Sequence, residues 1–454
     1  MAQIDWVISR LPPISTNLLE LKNSLAPVNR LPPEVLALIP AFRGSERDLI
    51  NATAVCKRWR RTLVSTPSLW NNIICFKRER LVVLAPHIRA YLERSRSVPV
   101  NAQIHVSSSR LLSPHAERIS SLRVFMGNYP SNVEALARHF SKPTPLLEAI
   151  SLQVQDGDRT LVLPPLFFDA FLSSVRTFTL EGATLAPGSC RLSRLTKFTL
   201  ETCIKTSVPC VALLDSLAQM TLLQVFEVKL YCGHPPDAVP RNRVVTLPHL
   251  EEITVTINGQ LIGPLENPIS PVLCLPNARR VNIHSINAIE VPPTPILPLS
   301  FEQRLPGLSV TPEVSVTIGR ELSIELCGLR QSKLTLSIDA ILYSAISLSM
   351  FGGAPFGSVH KLHVRLPRSP VDVKFFVKML RVMRKLEWLG VEQGTEKPLT
   401  YWAEAGDQAE ICPALTTLII TDADTKRAKR CIRELRQARK RDGVPITYME
   451  IGIR

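Results

Sequence analysis

The side chains best suited to covalent or metal chemistry are spaced against it. Nine histidines and ten cysteines occur in 454 residues, and no CxxC pair is among them. Cys203 and Cys210 stand seven apart with no His/Cys cluster beside them. His360 and His363 are the closest histidine pair, but they fall in a stretch with strand periodicity, where an odd spacing sends side chains to opposite faces. A metal needs ligands that converge. Two carboxylate pairs, Asp156 with Asp158 and Asp422 with Asp424, each follow an apolar run. Asp in that place suits turns and helix caps better than proton transfer. The phosphate-binding patterns GxxxxGKS/T and GxGxxG are missing, as are HExxH and GxSxG. The chain therefore reads as a protein that is not an enzyme, with no catalytic residue, cofactor or metal. Its scattered thiols read as free, buried cysteines in the reducing cytoplasm or nucleus.

What remains is the chemistry of burial, and it is most specific from Leu31 to Phe76. Leu31-Pro32-Pro33-Glu34-Val35-Leu36 starts a short helix, because proline is tolerated among the unpaired N-terminal donors and Glu34 complements the dipole there. A turn is expected at Arg43-Gly44-Ser45, with Ser45 capping a second helix that carries Glu46 and Asp48 in its first turn. That helix is expected to show Val55, Trp59 and Leu63 on one face, at i, i+4 and i+8. Thr66-Pro67 ends it, since the residue before a proline disfavours the α region. Leu69-Trp70 closes the segment with an aromatic anchor.

Leu31, Pro32, Glu34, Val35 and Leu36, then Val55, Cys56, Lys57 and Trp59, then Leu69 and Trp70 reproduce in order the pattern of a known docking module. The segment resembles the F-box. One departure is Pro40, where that family usually has an aromatic residue after Ile39; a proline there is expected to shorten or kink the first helix. The resemblance implies that residues 31–76 bind the Skp-type adaptor of a cullin–RING ubiquitin ligase. The residues implied in that contact are Leu31, Pro32, Glu34, Val35, Leu36 and Ile39 from the first stretch, and Val55, Cys56, Trp59, Leu63, Leu69 and Trp70 from the second. Trp59 and Trp70 are the expected hot spots, as large rigid aromatics lose most on truncation.

From Ile119 a second pattern recurs: apolar, two residues, apolar, one residue, apolar. It begins at Ile119, Leu147, Val175, Leu195, Leu223 and Leu250, then at Ala278, Leu305, Val359, Leu386 and Leu415, with weaker copies at Gln331 and Val444. Successive starts lie 26 to 29 residues apart, apart from one gap of 20. Repetition at this period signals stacked repeats, and the leucine-rich repeat has this strand core. Strand alternation buries one face, which a lone strand cannot cover but stacked neighbours can. The Asn or Cys that the leucine-rich repeat places eight residues after its first leucine occurs only as Cys203 and Asn258, so the repeats read as degenerate. Between them, 132–140, 209–220 and 371–383 have helical spacing, whereas Val291 to Pro298, with four prolines, reads as an extended loop.

The fold expected is α+β: a small N-terminal helical F-box followed by an irregular leucine-rich-repeat-like α/β solenoid. Its divisions are an N-terminal segment 1–30, the box 31–76, a connecting helix/strand segment 77–118, and a solenoid 119–454 with a basic amphipathic helix at 424–442. The connecting segment carries Tyr91-Leu-Glu-Arg-Ser-Arg-Ser-Val-Pro-Val100. A box, then such a segment, then weak repeats is an order similar to that of a large group of F-box proteins of mushroom-forming fungi.

Net charge is +15, with 45% hydrophobic and 20% charged residues, a balance that suits a globular protein. No run approaches the ~18 uncharged apolar residues that span a bilayer. MAQIDWVISR, with Asp5 and no long apolar core, is a poor secretory signal. In Lys426 to Arg441 the apolar Ala428, Cys431, Ile432 and Leu435 recur at three and four, so its stripe would cap the last repeat with Lys and Arg facing water. A localisation or acidic-partner patch and a nucleic-acid contact are the other readings, the last being weakest because no aromatic residues interleave the charge. The function expected is a substrate-recognition adaptor that joins a protein target to the adaptor and cullin. The rival is a leucine-rich-repeat scaffold without a role in degradation.

Overall fold

A computed structural model describes residues 20–43, 46–75, 81–140, 144–155, 161–163, 174–185, 192–202, 210–231, 243–258, 273–288, 313–318, 321–327, 333–340, 356–365, 373–392, 396–404, 408–421 and 425–452. The expected cap at Ser45, the repeat at Leu305, the proline loop 291–298, both Asp pairs and Cys203 lie outside the described residues. The chain divides into two compact units, Met1–Gln153 and Val154–Arg454.

After helical residues 20–25 and a 3-10 turn at Pro27–Arg30, the first unit has three helices, α1 Pro33–Arg43, α2 Glu46–Thr53 and α3 Lys57–Val64. A 3-10 turn, Pro67–Trp70, leads into strand β1 Asn72–Cys75. Helix α4 Leu81–Ser95 comes next, then β2 Val100–His105, β3 Ile119–Met126, helix α5 Pro130–His139 and β4 Ala149–Val154. The strands lie in the order β1-β2-β3-β4, and β1 to β2 and β2 to β3 are parallel.

Two expectations change here. The single helix expected to carry Val55, Trp59 and Leu63 is two helices. The last turn of α2 closes through i→i+3 bonds, from Ala54 N to the Asn51 carbonyl and from Val55 N to the Ala52 carbonyl. Cys56 is then extended (φ −159°, ψ 172°) and starts α3. The Arg60 guanidinium, from α3, bonds the Thr53 carbonyl left open at the end of α2. Val55 therefore sits in the link and is 58% exposed, while the inward residues are Leu49 on α2 and Trp59 and Leu63 on α3. Second, Pro40 does not end α1, which runs on to Arg43 with Pro40 buried inside it. Proline removes one backbone donor, and the packing of this turn tolerates the loss.

In the second unit strands dominate, and the repeats starting at Val175, Leu195, Leu223, Leu250, Ala278, Val359, Leu386 and Leu415 each supply one. The strands are β5 Leu161–Leu163, β6 Thr177–Glu181, β7 Ala183–Leu185, β8 Lys197–Glu201, β9 Val225–Tyr231 and β10 Val245–Thr246. Then come β11 Glu252–Asn258, β12 Leu273–Cys274, β13 Arg280–Ala288, β14 Glu313–Ile318, β15 Glu321–Cys327 and β16 Lys333–Ala340. The last are β17 Lys361–Arg365, β18 Trp388–Glu392, β19 Thr417–Thr421 and β20 Tyr448–Gly452. Helices α6 Cys210–Gln219, α7 Val373–Val382, α8 Glu396–Glu404 and α9 Thr425–Arg441 lie between strands. The three connecting segments with helical spacing are thus α5, α6 and α7.

A large, mostly parallel sheet runs β6-β8-β9-β11-β13-β16-β15-β14-β17-β18-β19-β20. Strands β6, β8, β9, β11, β13, β17, β18 and β19 start two residues after the first apolar residue of their repeats, and that residue sits buried in the turn, as Leu195, Leu223, Leu250, Leu386 and Leu415 do. The second apolar residues align by register, Phe178 with Phe198 and Phe198 with Phe226. Their rings stack at 5.7 Å in both pairs. One deviation breaks the run: β14 and β15 form an antiparallel hairpin and β15 pairs antiparallel with β16. The three-residue apolar pattern cannot report strand direction, so this hairpin was not legible in it. The outward row on the other face is polar: Thr179, Thr199, Glu227, Thr254 and Asn282 fall in one register line and are half-buried.

The basic helix α9 buries Ile432, Leu435 and Ala438, as its spacing predicts. Arg439 departs from the expectation that its cations face water, for it is fully buried. Its guanidinium donates to the carbonyls of Ile411 (2.7 Å), Cys412 (3.0 Å) and Val444 (3.1 Å). Burial lowers its pKa, and the planar fork matches three acceptors that an ammonium could not reach together. Nor does α9 close the sheet, since β20 comes after it and pairs with β19.

Candidate protein-docking site

The three helices of the first unit meet over a small core of Leu36, Ala37, Leu49, Trp59, Leu63 and Trp70. Proline at position 33 begins α1 because its missing donor costs nothing there. Burying two indoles requires a partner for each N–H. Trp59 Nε1 donates to Asn29 Oδ1 at 2.7 Å, and Trp70 Nε1 donates to the Leu63 carbonyl at 2.8 Å. Asn29 is itself buried and donates to the Asn23 carbonyl at 2.6 Å. The Arg58 guanidinium bonds the Leu31 carbonyl at 2.7 Å, tying the entry of α1 to α3.

Outside that core α1 presents a second apolar face. Leu36, Ala37 and Pro40 point inward, whereas Val35, Leu38, Ile39 and Phe42 are exposed. Their spacing, i, i+3, i+4 and i+7, makes one continuous stripe. Leu38 is 51% and Phe42 86% exposed, and Ile50 on α2 and Val55 in the next link are exposed as well. Scattered exposed leucines need no explanation, but a contiguous apolar stripe marks a surface built to be covered.

The twelve residues inferred from sequence divide accordingly. Val35, Ile39 and Val55 are exposed and apolar, Pro32 and Glu34 are exposed at the start of α1, and Leu31, Cys56 and Leu69 are half-buried. Leu36, Trp59, Leu63 and Trp70 are in the module's own core, with Trp59 7% and Trp70 0% exposed. Trp59 and Trp70, expected as contact hot spots, both lie in the module's own core, with their N–H groups bonded within it. Sequence reasoning missed Leu38, Phe42 and Ile50. The i, i+3, i+4, i+7 spacing of α1 held that signal, but a stripe on one side and a core on the other look alike before the helix is docked.

Residues 28–75 match the F-box-like domain family. The module is an F-box-like domain. Among curated proteins, none matches the chain. F-box domains generally bind Skp-type adaptors, and the domain suggests a role as a substrate adaptor of the corresponding ligases in general.

The F-box-like domain is fastened to helix α4. Trp70 packs edge-on against Tyr91 of that helix, with ring centroids 4.9 Å apart at 74°, and the Arg94 guanidinium lies 4.3 Å over the Trp70 ring. His87, one turn earlier, contacts the Glu46 carboxylate at the start of α2 through Nε2. Hydrogen bonds from its ring to the Cys75 thiol and the Glu46 carboxylate raise the His87 pKa to about 10. Burial, with the charge of Glu46 beside it, raises the Tyr91 phenol. These groups form a polar seam, and among the described residues no cluster of three or more His, Cys, Asp and Glu side chains could hold a metal ion. His360 precedes β17 and is exposed, while His363 lies on the strand with its ring 4.4 Å from Trp388. No helix among the described residues is long and apolar enough to cross a membrane.

Proposed function

We propose that the protein is a substrate-recognition adaptor of an SCF-type cullin–RING ubiquitin ligase. The F-box-like domain docks on the Skp-type adaptor and reaches the cullin through it. The second unit acts as an irregular leucine-rich-repeat-like solenoid that holds a protein target. The chain itself is not an enzyme. Ubiquitin transfer belongs to other subunits, and this chain contributes proximity, since tethering raises the local concentration of a target beside the transfer machinery.

The observation that carries the docking half is the exposed stripe Val35, Leu38, Ile39 and Phe42 on a domain of adaptor-binding type. The regular register of the buried strand residues, the spacing of the repeats and the polar outward row support the solenoid half. Threonines, asparagine and mixed charges can hydrogen-bond a folded partner without committing to one ligand chemistry. The domain layout proposed is 31–76 for docking, 77–118 for connection and 119–454 for the target. A reducing cytoplasmic or nuclear location fits Cys56, Cys75 and Cys412 as reduced thiols.

Calorimetry of the full chain with a purified Skp-type adaptor tests the reading. A one-to-one complex with a Kd of about a micromolar or tighter is expected. A folded chain that gives no heat of binding and recovers no cullin from lysate rejects it in favour of a scaffold without a degradative role.

A further inference from the structure

Strands β17, β18, β19 and β20 are neighbours in one parallel run, and α7, α8 and α9 are the crossovers between them. Crossovers between parallel neighbours share one hand, so the three helices lie on one face of the sheet. Helix α8 packs against α9 and touches α7. Each helix turns its apolar side inward: Phe376, Met379 and Leu380 are buried on α7, Trp402 on α8, and Ile432 and Leu435 on α9.

The outer side is cationic. Lys378 and Arg381 are exposed on α7, and Arg433, Arg436 and Lys440 make an exposed stripe on α9 at i, i+3 and i+7. Among the described residues, no ion pair engages Lys378, Arg381, Arg436 or Lys440. The acids on α9 and just beyond it are used within the fold. Glu434 accepts from Arg430 at 2.8 Å, and Asp442 Oδ2 accepts from the Gln408 N–H at 2.8 Å. Glu404 and Glu410, on α8 and in the turn after it, are exposed, and the cations outnumber them. Such a face attracts a polyanion.

Two features choose among polyanions. Among the described residues of these helices, Val382 and Tyr401 are the large apolar side chains exposed. A protein partner is held by an apolar core inside a polar rim, and two side chains on different helices do not make one. Nucleic-acid interfaces are more polar and more positive. Second, Tyr401 is 38% exposed on α8, the helix between the two cationic rows. Residues 426–441 carry no aromatic to interleave with their charge, and the neighbouring helix supplies one. An exposed ring among backbone-binding cations stacks an unpaired base. A duplex keeps its bases stacked on one another and leaves the ring unused.

We propose that the outer face of α7, α8 and α9 binds single-stranded nucleic acid without sequence preference, with phosphates on the two cationic rows and a base on Tyr401. The site lies in the second unit and stands whether or not the F-box-like domain binds an adaptor.

A fluorescein-labelled oligothymidylate of about twenty nucleotides is the probe, followed by anisotropy with the full chain. It saturates with a Kd of about a micromolar or below at about 50 mM salt. The log–log salt slope is about −3 or steeper, since each neutralised phosphate of a single strand contributes about −0.7. Arg436→Glu with Lys440→Glu weakens binding at least tenfold and flattens the slope by about one unit. Lys378→Glu with Arg381→Glu does the same from α7, and decides the matter should the first pair fail to fold. Tyr401→Ala weakens binding about fivefold or more and leaves the slope unchanged. The same change of charge at exposed cations beside β6 and on β8, Arg176→Glu with Lys197→Glu, leaves the affinity unchanged, because salt screens charges so far from the site. The assignment is overturned by a wild-type chain without saturable binding, by a Tyr401→Ala chain that binds like the wild type, or by an equal loss in the Arg176→Glu, Lys197→Glu chain. A duplex of the same length binding as tightly overturns it as well. So does polyglutamate binding as tightly, which would make the face a site for an acidic protein.

Discussion

The ring of Tyr91 meets Trp70 edge-on at 4.9 Å, so the last aromatic of the F-box-like domain is sealed by a helix that lies beyond it in sequence. Trp70 is fully buried, and Arg94 from the same helix covers its face. The domain recognised at 28–75 is thus completed by α4.

Removing the Trp70 ring should therefore damage the first unit even though α1 to α3 are untouched. Trp70→Ala is expected to cost about 3–5 kcal/mol, the range for a large aromatic deleted from a packed core. Tyr91→Ala should cost a comparable amount and be non-additive with it, since the two rings share one contact. Urea unfolding followed by tryptophan fluorescence measures both. A sum of independent effects would show that the seal is not cooperative.

The outer stripe should behave in the opposite way. Leu38→Asp and Phe42→Asp are expected to weaken adaptor binding at least tenfold while leaving the thermal midpoint within about a degree, because those side chains are largely exposed on the outer face of α1. Trp59→Phe, by contrast, should lower the midpoint before it touches affinity. Calorimetry and thermal unfolding on the same samples separate the two classes.

His87 gives the first unit a pH dependence of known sign. Its folded pKa of about 10 lies above the unfolded value of 6.5. A raised pKa means that the charged form is favoured by folding, through Cys75 and Glu46. That stabilisation is complete below pH 6.5 and is lost as pH rises towards 10. The thermal midpoint of the wild type minus that of His87→Gln should shrink steadily from pH 7 to pH 10. A difference that stays constant over this range would remove His87 from the account.

In the second unit, Arg439 should matter more than any exposed cation of α9. It supplies three carbonyls, of Ile411, Cys412 and Val444, with their hydrogen bonds. Arg439→Met keeps the bulk and removes all three bonds; the Cys412 carbonyl retains the Leu415 N–H, and the cost is about 1–3 kcal/mol for each of the other carbonyls left unpaired. Arg439→Lys should rescue little, because one ammonium cannot span the fork. Amide hydrogen exchange in 411–421 and 444–450 is the measurement, and Arg436→Met, at an exposed position, is the control.

Much of this architecture is written in local order. Leu31-Pro32-x-Glu34-Val35-Leu36 and Val55-Cys56-Lys57-x-Trp59 specify the F-box-like domain because its helices begin and end on residues that act through neighbouring backbone. The triplets such as Leu195, Phe198 and Leu200 specify strands because alternation alone decides which side can be buried. Neither needs knowledge of distant residues.

Direction, partnership and sidedness had to wait for the tertiary structure. That Lys333–Ala340 pairs directly with Arg280–Ala288 while Lys361–Arg365 is reached across an antiparallel hairpin depends on pairing between segments far apart, which no local pattern encodes. That Trp59 and Trp70 face inward while Leu38 and Phe42 face out depends on which side of each helix found a partner first, and all four side chains are equally apolar in sequence. Arg439 reads as one more surface cation until three carbonyls converge on it. A sequence fixes which groups must be buried or paired, but the assignment of particular partners is a property of the packed whole, because burial is set by everything a side chain touches rather than by its own chemistry.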